Sequence, residues 1–384
     1  MSAPAGGPGT PRSDPASAVS PLTRRSRLAY WRDVLLIATL SIGGLHAGAG
    51  FLIPLTLALL VFVLVTAVSD RVTILRPGGV TLPPWLGYLI GASAVLSGLF
   101  AVMFVLGNQA TQFARALPQY ETQLDSALTR IAGLLGTDLV DFIRVNFIEI
   151  DMSRLAVSAL GEARSFLSTF LLICLYVGFM IAERPMLSGK IAMATRDDRL
   201  RRDIDAITAA ISISLQRYVG VKTFVSTLTS LISYAVFHAL GLEFAETWAV
   251  LTFALNFIPS IGSVLAVILP ALVALLQFDT LVPFLIIVLG CGGLQFLIGN
   301  FLDPALTGRS LNISTLMVIL ALTFWTAVWG ILGAFLSVPL TVCLLIIFSQ
   351  IPATRPLAIL ASKDGHLDLP GASPGDGVKD KGAQ

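Results

Sequence analysis

Residues 51–68 read FLIPLTLALLVFVLVTAV, eighteen positions without a charge. Wound as α-helix at 1.5 Å per residue, such a stretch extends about 27 Å, close to the ~30 Å of a bilayer's hydrocarbon. Hydrocarbon offers backbone amides and carbonyls no water, so a segment there must satisfy itself as helix or join a closed barrel. A barrel strand is short and alternates in polarity, and this stretch does not alternate. The same signal recurs at 34–47, 85–106, 166–182, 223–240, 248–276, 281–298 and 313–348. The expected fold is therefore all-α: a polytopic transmembrane helical protein of about eight membrane segments.

Composition agrees. Of 384 residues, 55% are hydrophobic and 12% charged, with a mean hydropathy of +0.84. That is too little charge to cover a soluble surface. The net charge of +2, without basic runs interleaved with aromatics, argues against nucleic acid as a partner. Cys174, Cys291 and Cys343 are odd in number and lie apart in apolar surroundings. They read as small hydrophobes rather than as a redox or metal set.

Charge on the flanks orients the spans. Arg24, Arg25, Arg27 and Arg32 precede the first, which places the N-terminus in the cytoplasm by the positive-inside rule. After the third span, Arg115, Arg130, Arg144, Arg154 and Arg164 are outweighed by Glu121, Asp125, Asp138, Asp141, Glu149, Asp151 and Glu162. Tyr120, Leu124, Leu128, Ile131 and Leu135 recur there at helical spacing. This is a small helical extramembrane module on the periplasmic side. From 183 to 222 eight basic residues exceed five acidic ones, which fits a return to the cytoplasm. Within that stretch Ile204, Ile207, Ile211, Leu215 and Tyr218 form an apolar stripe, suited to packing on the protein or membrane surface, or to contact between subunits.

The expected organisation follows. Residues 1–33 form a disordered cytoplasmic tail, 34–107 the first three transmembrane helices, 108–162 the periplasmic module and 163–183 the fourth helix. Residues 184–222 form a cytoplasmic amphipathic segment, 223–352 a membrane core with broken helices, and 353–384 a disordered cytoplasmic tail. In span three Gly87, Gly91, Ala94 and Gly98 make a ladder that lets another helix approach, within the bundle or at a dimer seam. The apolar stretch 313–348 is too long for one simple span and is divided by Gly330 and Gly333. Both 248–276 and 313–348 leave two readings open, a single crossing or a re-entrant hairpin.

Two stretches carry a family likeness: NFIPSIGSVLAVILPALVALL at 256–276, and DPALTGRSLNISTLMVILALTFWTAVWGILGAFLSVPL at 303–340. With RYVG at 217–220 and YVGFMIAERP at 176–185, they resemble the motifs of the autoinducer-2 exporter family over about 34–352. Pro304, Gly308, Arg309, Trp329, Gly330, Gly333 and Pro339 stand at matching spacing. Two positions depart from the pattern: Ser260 stands where the family usually has an aromatic residue, and Ser263 where it usually has proline. The resemblance implies a bacterial inner-membrane exporter of a small quorum-sensing solute. Some relatives look like sodium or lithium/proton antiporters, so a monovalent cation is the alternative passenger. It also implies homo-oligomers, the pentamer among them.

Polar groups at membrane depth are costly and commonly functional. Asn256, Gln295, Asn300 and Asn312 lie in or beside apolar stretches, and they flank Pro259, Gly262, Pro304 and Gly308. The bland reading is that each amide bonds a neighbouring helix. The sharper one is that the helix is interrupted, and that proline frees a carbonyl four residues back, Leu255 for Pro259 and Asn300 for Pro304. The candidate substrate-binding or gating set is Asn256, Pro259, Gly262, Gln295, Asn300, Asp303, Pro304, Gly308 and Arg309. Asp303 and Arg309 can pair or simply mark a loop at the membrane edge. Glu243 and Glu246 read as interfacial, and Lys222 as snorkelling from the start of span five.

An enzyme is not expected. Histidine occurs only at 46, 238 and 366, with neither an HExxH motif nor a serine motif to pair with a membrane histidine. The absence of a Walker A loop excludes self-driven ATP use, and no metal ligand set or cofactor is expected. The function expected is ATP-independent export of a small polar solute, with lipid as the surrounding partner. A non-transporting membrane scaffold is the competitor from another class.

Overall fold

The structure is a computed structural model, and it describes residues 21–74, 83, 85–102, 104–105, 152–194, 197–307 and 312–365. The module expected at 108–162 lies outside the described residues up to position 151. The chain divides into two compact units, Met1–Ala49 and Gly50–Gln384. In the first, helix α1 runs Pro21–Ala47. Helix thus begins well before the tail boundary expected at 33, and proline suits the first helical turn because its missing N–H has no partner there anyway.

The second unit begins with α2 (Ala49–Ile74) and α3 (Trp85–Val102), which lie close together. A Cβ built on Gly87 would stand 2.6 Å from Thr73 Cγ2, and one on Gly91 2.9 Å from the Val65 carbonyl. Gly98 has nothing within 4 Å. Half of the small-residue ladder therefore seats α3 on α2, which is packing within the bundle. Helix α4 (Met152–Ala194) joins them through Ile173 and Val177, packed with Ala58 and Val65.

Helix α5 runs without interruption over Asp198–Leu240. The amphipathic segment expected to end at 222 and the fifth span are one rod. No proline falls between its ends, and its one internal glycine, Gly220, costs only about 1 kcal/mol in a helix. The apolar stripe turns progressively inward, from half-buried Ile204 to buried Leu215 and Tyr218.

Next come α6 (Ala245–Leu255) and α7 (Ile261–Gln277), which fold back on each other. The end of α7 is tied to the start of the pair: Gln277 Nε2 donates to the Gly241 carbonyl at 2.8 Å, and its Oε1 accepts from the Glu243 amide at 2.8 Å. The following rod mixes two helix types. It consists of α8 (Val282–Ile286), a π turn at Ile287–Cys291, α9 (Gly292–Leu297), a second π turn at Ile298–Leu302, and α10 (Asp303–Thr307).

The last long helix, α11 (Thr315–Gln350), is capped by the Ser314 hydroxyl, which accepts from the Met317 amide at 3.2 Å. It leaves helical geometry at Gly330 (φ 63°, ψ −145°), a conformation that glycine alone adopts cheaply. Trp325 Nε1 donates to Thr341 Oγ1 at 3.2 Å, whereas sixteen residues of straight helix extend about 24 Å. The stretch is therefore a folded hairpin. Short helix α12 (Arg355–Ala361) closes its open end, with the Ser314 amide donating to the Ala361 carbonyl at 3.0 Å.

Among the described residues six helices are long and apolar enough to cross a membrane, and α6 and α7 are shorter apolar helices. The two open readings thus resolve alike, since both 248–276 and 313–348 turn back. Their tips meet. Ile258 packs with Leu322 and Ala334, and Phe257 stacks on Phe335 with ring centres 4.8 Å apart. The base of the α6–α7 hairpin is the larger core, where Trp248, Val267 and Ala271 pack with Phe237 of α5 and Ile287 of the π-containing rod.

Candidate functional site

The turn between α6 and α7 carries three of the nine candidate residues, Asn256, Pro259 and Gly262. Helix α6 tightens as it ends: the Phe257 amide donates to Ala254 O at 3.2 Å and the Ile258 amide to Leu255 O at 2.8 Å. The Leu255 carbonyl, expected to be freed by Pro259, is thus taken up by a shorter loop of chain. The Ile261 amide then donates to the Pro259 carbonyl at 2.6 Å, across Ser260 at φ 60°, ψ −52°. This is a γ-turn of the rare, strained kind. The Ser263 hydroxyl donates to the Ser260 carbonyl at 3.0 Å. The two positions at which this chain departs from the family pattern are therefore in direct contact, one bracing the other.

Gly262 explains why the reversal is so tight. A Cβ there would stand 1.7 Å from the Leu255 carbonyl oxygen. Gly333 plays the same part in α11, with Trp325 O 1.9 Å from its would-be Cβ. Each hairpin closes on backbone-to-backbone contact that any side chain would block.

Beside the first turn the amides gather. Gln295, on the α9 segment between the π turns and only 8% exposed, donates from Nε2 to Asn256 Oδ1 at 3.2 Å. Asn256 Nδ2 and Thr252 Oγ1 are buried and make no hydrogen bond within the chain. They lie one helical turn apart on one face of α6. A buried polar group left unsatisfied costs about 1–3 kcal/mol, so two together favour any solute that can complete them. Thr252 was not among the expected residues, although its i−4 spacing from Asn256 was a readable signal.

The second expected interruption differs. The chain is helical through Pro304, which sits just after the second π turn. Asn300 is exposed and its side-chain amide donates to the Phe296 carbonyl at 2.9 Å. Gly308 and Arg309 lie outside the described residues. Asp303 pairs with Lys222 of α5, Oδ2 to Nζ at 2.6 Å, with side chains 21% and 17% exposed. Lys222 therefore turns inward to a partner instead of reaching out to the interface. Tyr218 and Ser226 lie a turn to either side of it, and Tyr218 Oη and Ser226 Oγ are buried without a hydrogen bond within the chain. Glu243 and Glu246 are exposed. Among the described residues no group of three or more His, Cys, Asp or Glu comes together to hold a metal ion.

Backbone that leaves the helix where two hairpins meet, next to an uncompensated buried amide and hydroxyl, is how membrane transport proteins make polar surface at depth. Similarity places the chain within that class. Residues 35–353 match the AI-2E family transporter model, and the chain belongs to that family. It is 32% identical over 323 residues to the AI-2 transport protein TqsA of Escherichia coli K12, covering 83% of this chain and 91% of that protein. A putative transport protein of Haemophilus influenzae is 28% identical over 349 residues, covering 88% and 97%. The putative transport protein MT0215 of Mycobacterium tuberculosis is 26% identical over 347 residues, covering 84% and 89%.

Proposed function

We propose that this protein exports a small polar solute across the bacterial inner membrane without hydrolysing ATP, and that the solute passes the amide cluster at the hairpin turn. The observation that carries this reading is the pair of buried, uncompensated groups, Asn256 Nδ2 and Thr252 Oγ1, beside the Asn256–Gln295 hydrogen bond. Their mix of donors and acceptors without net charge suits a hydroxyl- or carbonyl-bearing solute, and the name of the E. coli relative suggests an AI-2-like signal as the first to try. The N-terminus is cytoplasmic in this reading, the assembly is a homo-oligomer, and Asn300, Asp303 and Pro304 border the path. The chain is a carrier and not an enzyme.

A second reading, sodium or lithium/proton exchange, is favoured by the Lys222–Asp303 pair, a charge cluster held between helices beside two buried hydroxyls. One experiment addresses both. Purified protein in liposomes is assayed for AI-2 efflux and, separately, for sodium- or lithium-driven proton movement. Asn256→Leu and Pro259→Ala are each expected to lower AI-2 efflux at least tenfold per assembled molecule. Cation-driven proton movement without AI-2 efflux would select the second reading, and neither flux would leave the scaffold.

A further inference from the structure

We propose that the second π turn and the Lys222–Asp303 ion pair form a coupled rotary latch, in which the wide turn brings Asp303 round to Lys222 and the pair in turn holds the turn wide. In an α-helix the Ile298 carbonyl would accept from Leu302, four residues on. Here it accepts from the amide of Asp303, five residues on. Asp303 thus occupies the place one turn below Ile298 that an α-helix would give to Leu302. Each residue of α-helix turns about 100°, so in the plain α register Asp303 would be swung by about that angle.

The angle matters because this face of the rod is the inward one. Ile287, Cys291, Gln295 and Ile298 are all buried, at spacings of four, four and three. Continued as α-helix, the stripe would reach Leu302 next and leave the carboxylate to one side. With one extra residue absorbed, it reaches Asp303. Helix α5 presents the matching positions. Ser233 is hydrogen-bonded to Cys291 and Lys222 to Asp303, so two anchors eleven residues apart on α5 hold the two ends of the segment that carries Gln295. Eleven residues turn three times plus about 20°, which keeps both anchors on one face.

A π turn is a costly insertion that helices keep mostly where it serves a purpose. Ile298–Leu302 has a compact alternative, the α register, which relieves the wide turn and breaks the ion pair. The charge pair decides between them. Two positions that anchor the rod beside Gln295 thereby control whether its inward face stays in phase with α5. This consequence for solute passage rests on the transport reading above, whereas the latch itself does not.

The test is hydrogen–deuterium exchange of the full-length protein in lipid nanodiscs, followed on peptides covering 298–307. Asp303→Asn and Lys222→Met let the two registers interconvert, each passage breaking backbone hydrogen bonds. Both are expected to speed exchange there at least tenfold while leaving α7 unchanged, and the swap Lys222→Asp/Asp303→Lys to restore protection. Deleting Gly299 removes the spare residue and leaves Asp303 one α-turn below Ile298. In the Asp303→Asn background this deletion is expected to return protection, because no second register remains. Unchanged exchange in both single-charge variants would overturn the latch, as would a swap that fails to recover protection. If the deletion variant does not assemble, the three charge variants still decide.

Discussion

The two proline-bearing regions of the membrane core, Pro259 with Gly262 and Pro304 after Asn300, look alike in sequence and fold in opposite ways. In the first the chain reverses, through a tightened helix end and a γ-turn. In the second it runs on as helix through Thr307, using a wide turn ahead of the proline. Proline alone therefore does not decide. What separates them is a glycine positioned for backbone contact. Gly262 lets α7 pass against the Leu255 carbonyl, while Gly299, in the second π turn, has nothing within 4 Å. A reversal needs two strands of backbone to touch, and a register change needs only one residue of slack.

The sharpest way to break that comparison is to add a methyl group to each region. Gly262→Ala places an atom 1.7 Å from Leu255 O, against backbone that cannot move without opening the hairpin. Recovery of monodisperse protein is expected to fall at least tenfold, and Gly299→Ala to leave it unchanged. Size-exclusion chromatography of the two in parallel would refute the contrast if they behaved alike.

A smaller effect is expected at Ser260. Its φ of 60° is a conformation in which a side chain costs energy and glycine does not. Ser260→Gly should stabilise by about 0.5–1 kcal/mol, offset in part by the greater freedom of the unfolded chain. Thermal denaturation would register this as a rise of about 1 °C in a chain of this length, and a fall would mean that the serine contributes more than strain.

The smallest change belongs to Pro304. The helix already accommodates it, so Pro304→Ala is expected to shift stability by less than about 0.5 kcal/mol, with normal recovery. A loss as large as that of Gly262→Ala would mean that the proline holds the second region open after all.

The membrane class was readable because it depends on long-range composition: an uncharged run such as 51–68 has few other uses. The amide cluster was partly readable, since Asn256 and Gln295 are expensive in hydrocarbon wherever they fall. Their pairing was not, because it depends on the angle of a rod whose period changes twice, and no residue between 287 and 302 announces a π turn. The inward turn of Lys222 was hidden for a related reason. A lysine near a span's end has an easy route to the interface, and only the position of Asp303, set by that altered period, gives it a better one. The continuity of α5 through 222 was not legible, because a change in charge along a sequence need not coincide with a change in backbone.

The closing of α11 by α12 has a consequence for how the chain is made. Ile313 pairs with Ser362, and the Lys363 amide donates to the Asn312 carbonyl at 3.1 Å. The arm that begins near Ile313 leaves the ribosome well before its clasp exists. At about 5–20 residues per second, synthesis takes roughly 2–10 s to travel from one to the other. For that interval the newest hairpin is held by its own Gly330 fold and by whatever surrounds it in the insertion machinery. Completion of this membrane core is therefore timed by the arrival of a short helix that is synthesised after the hairpin it clasps.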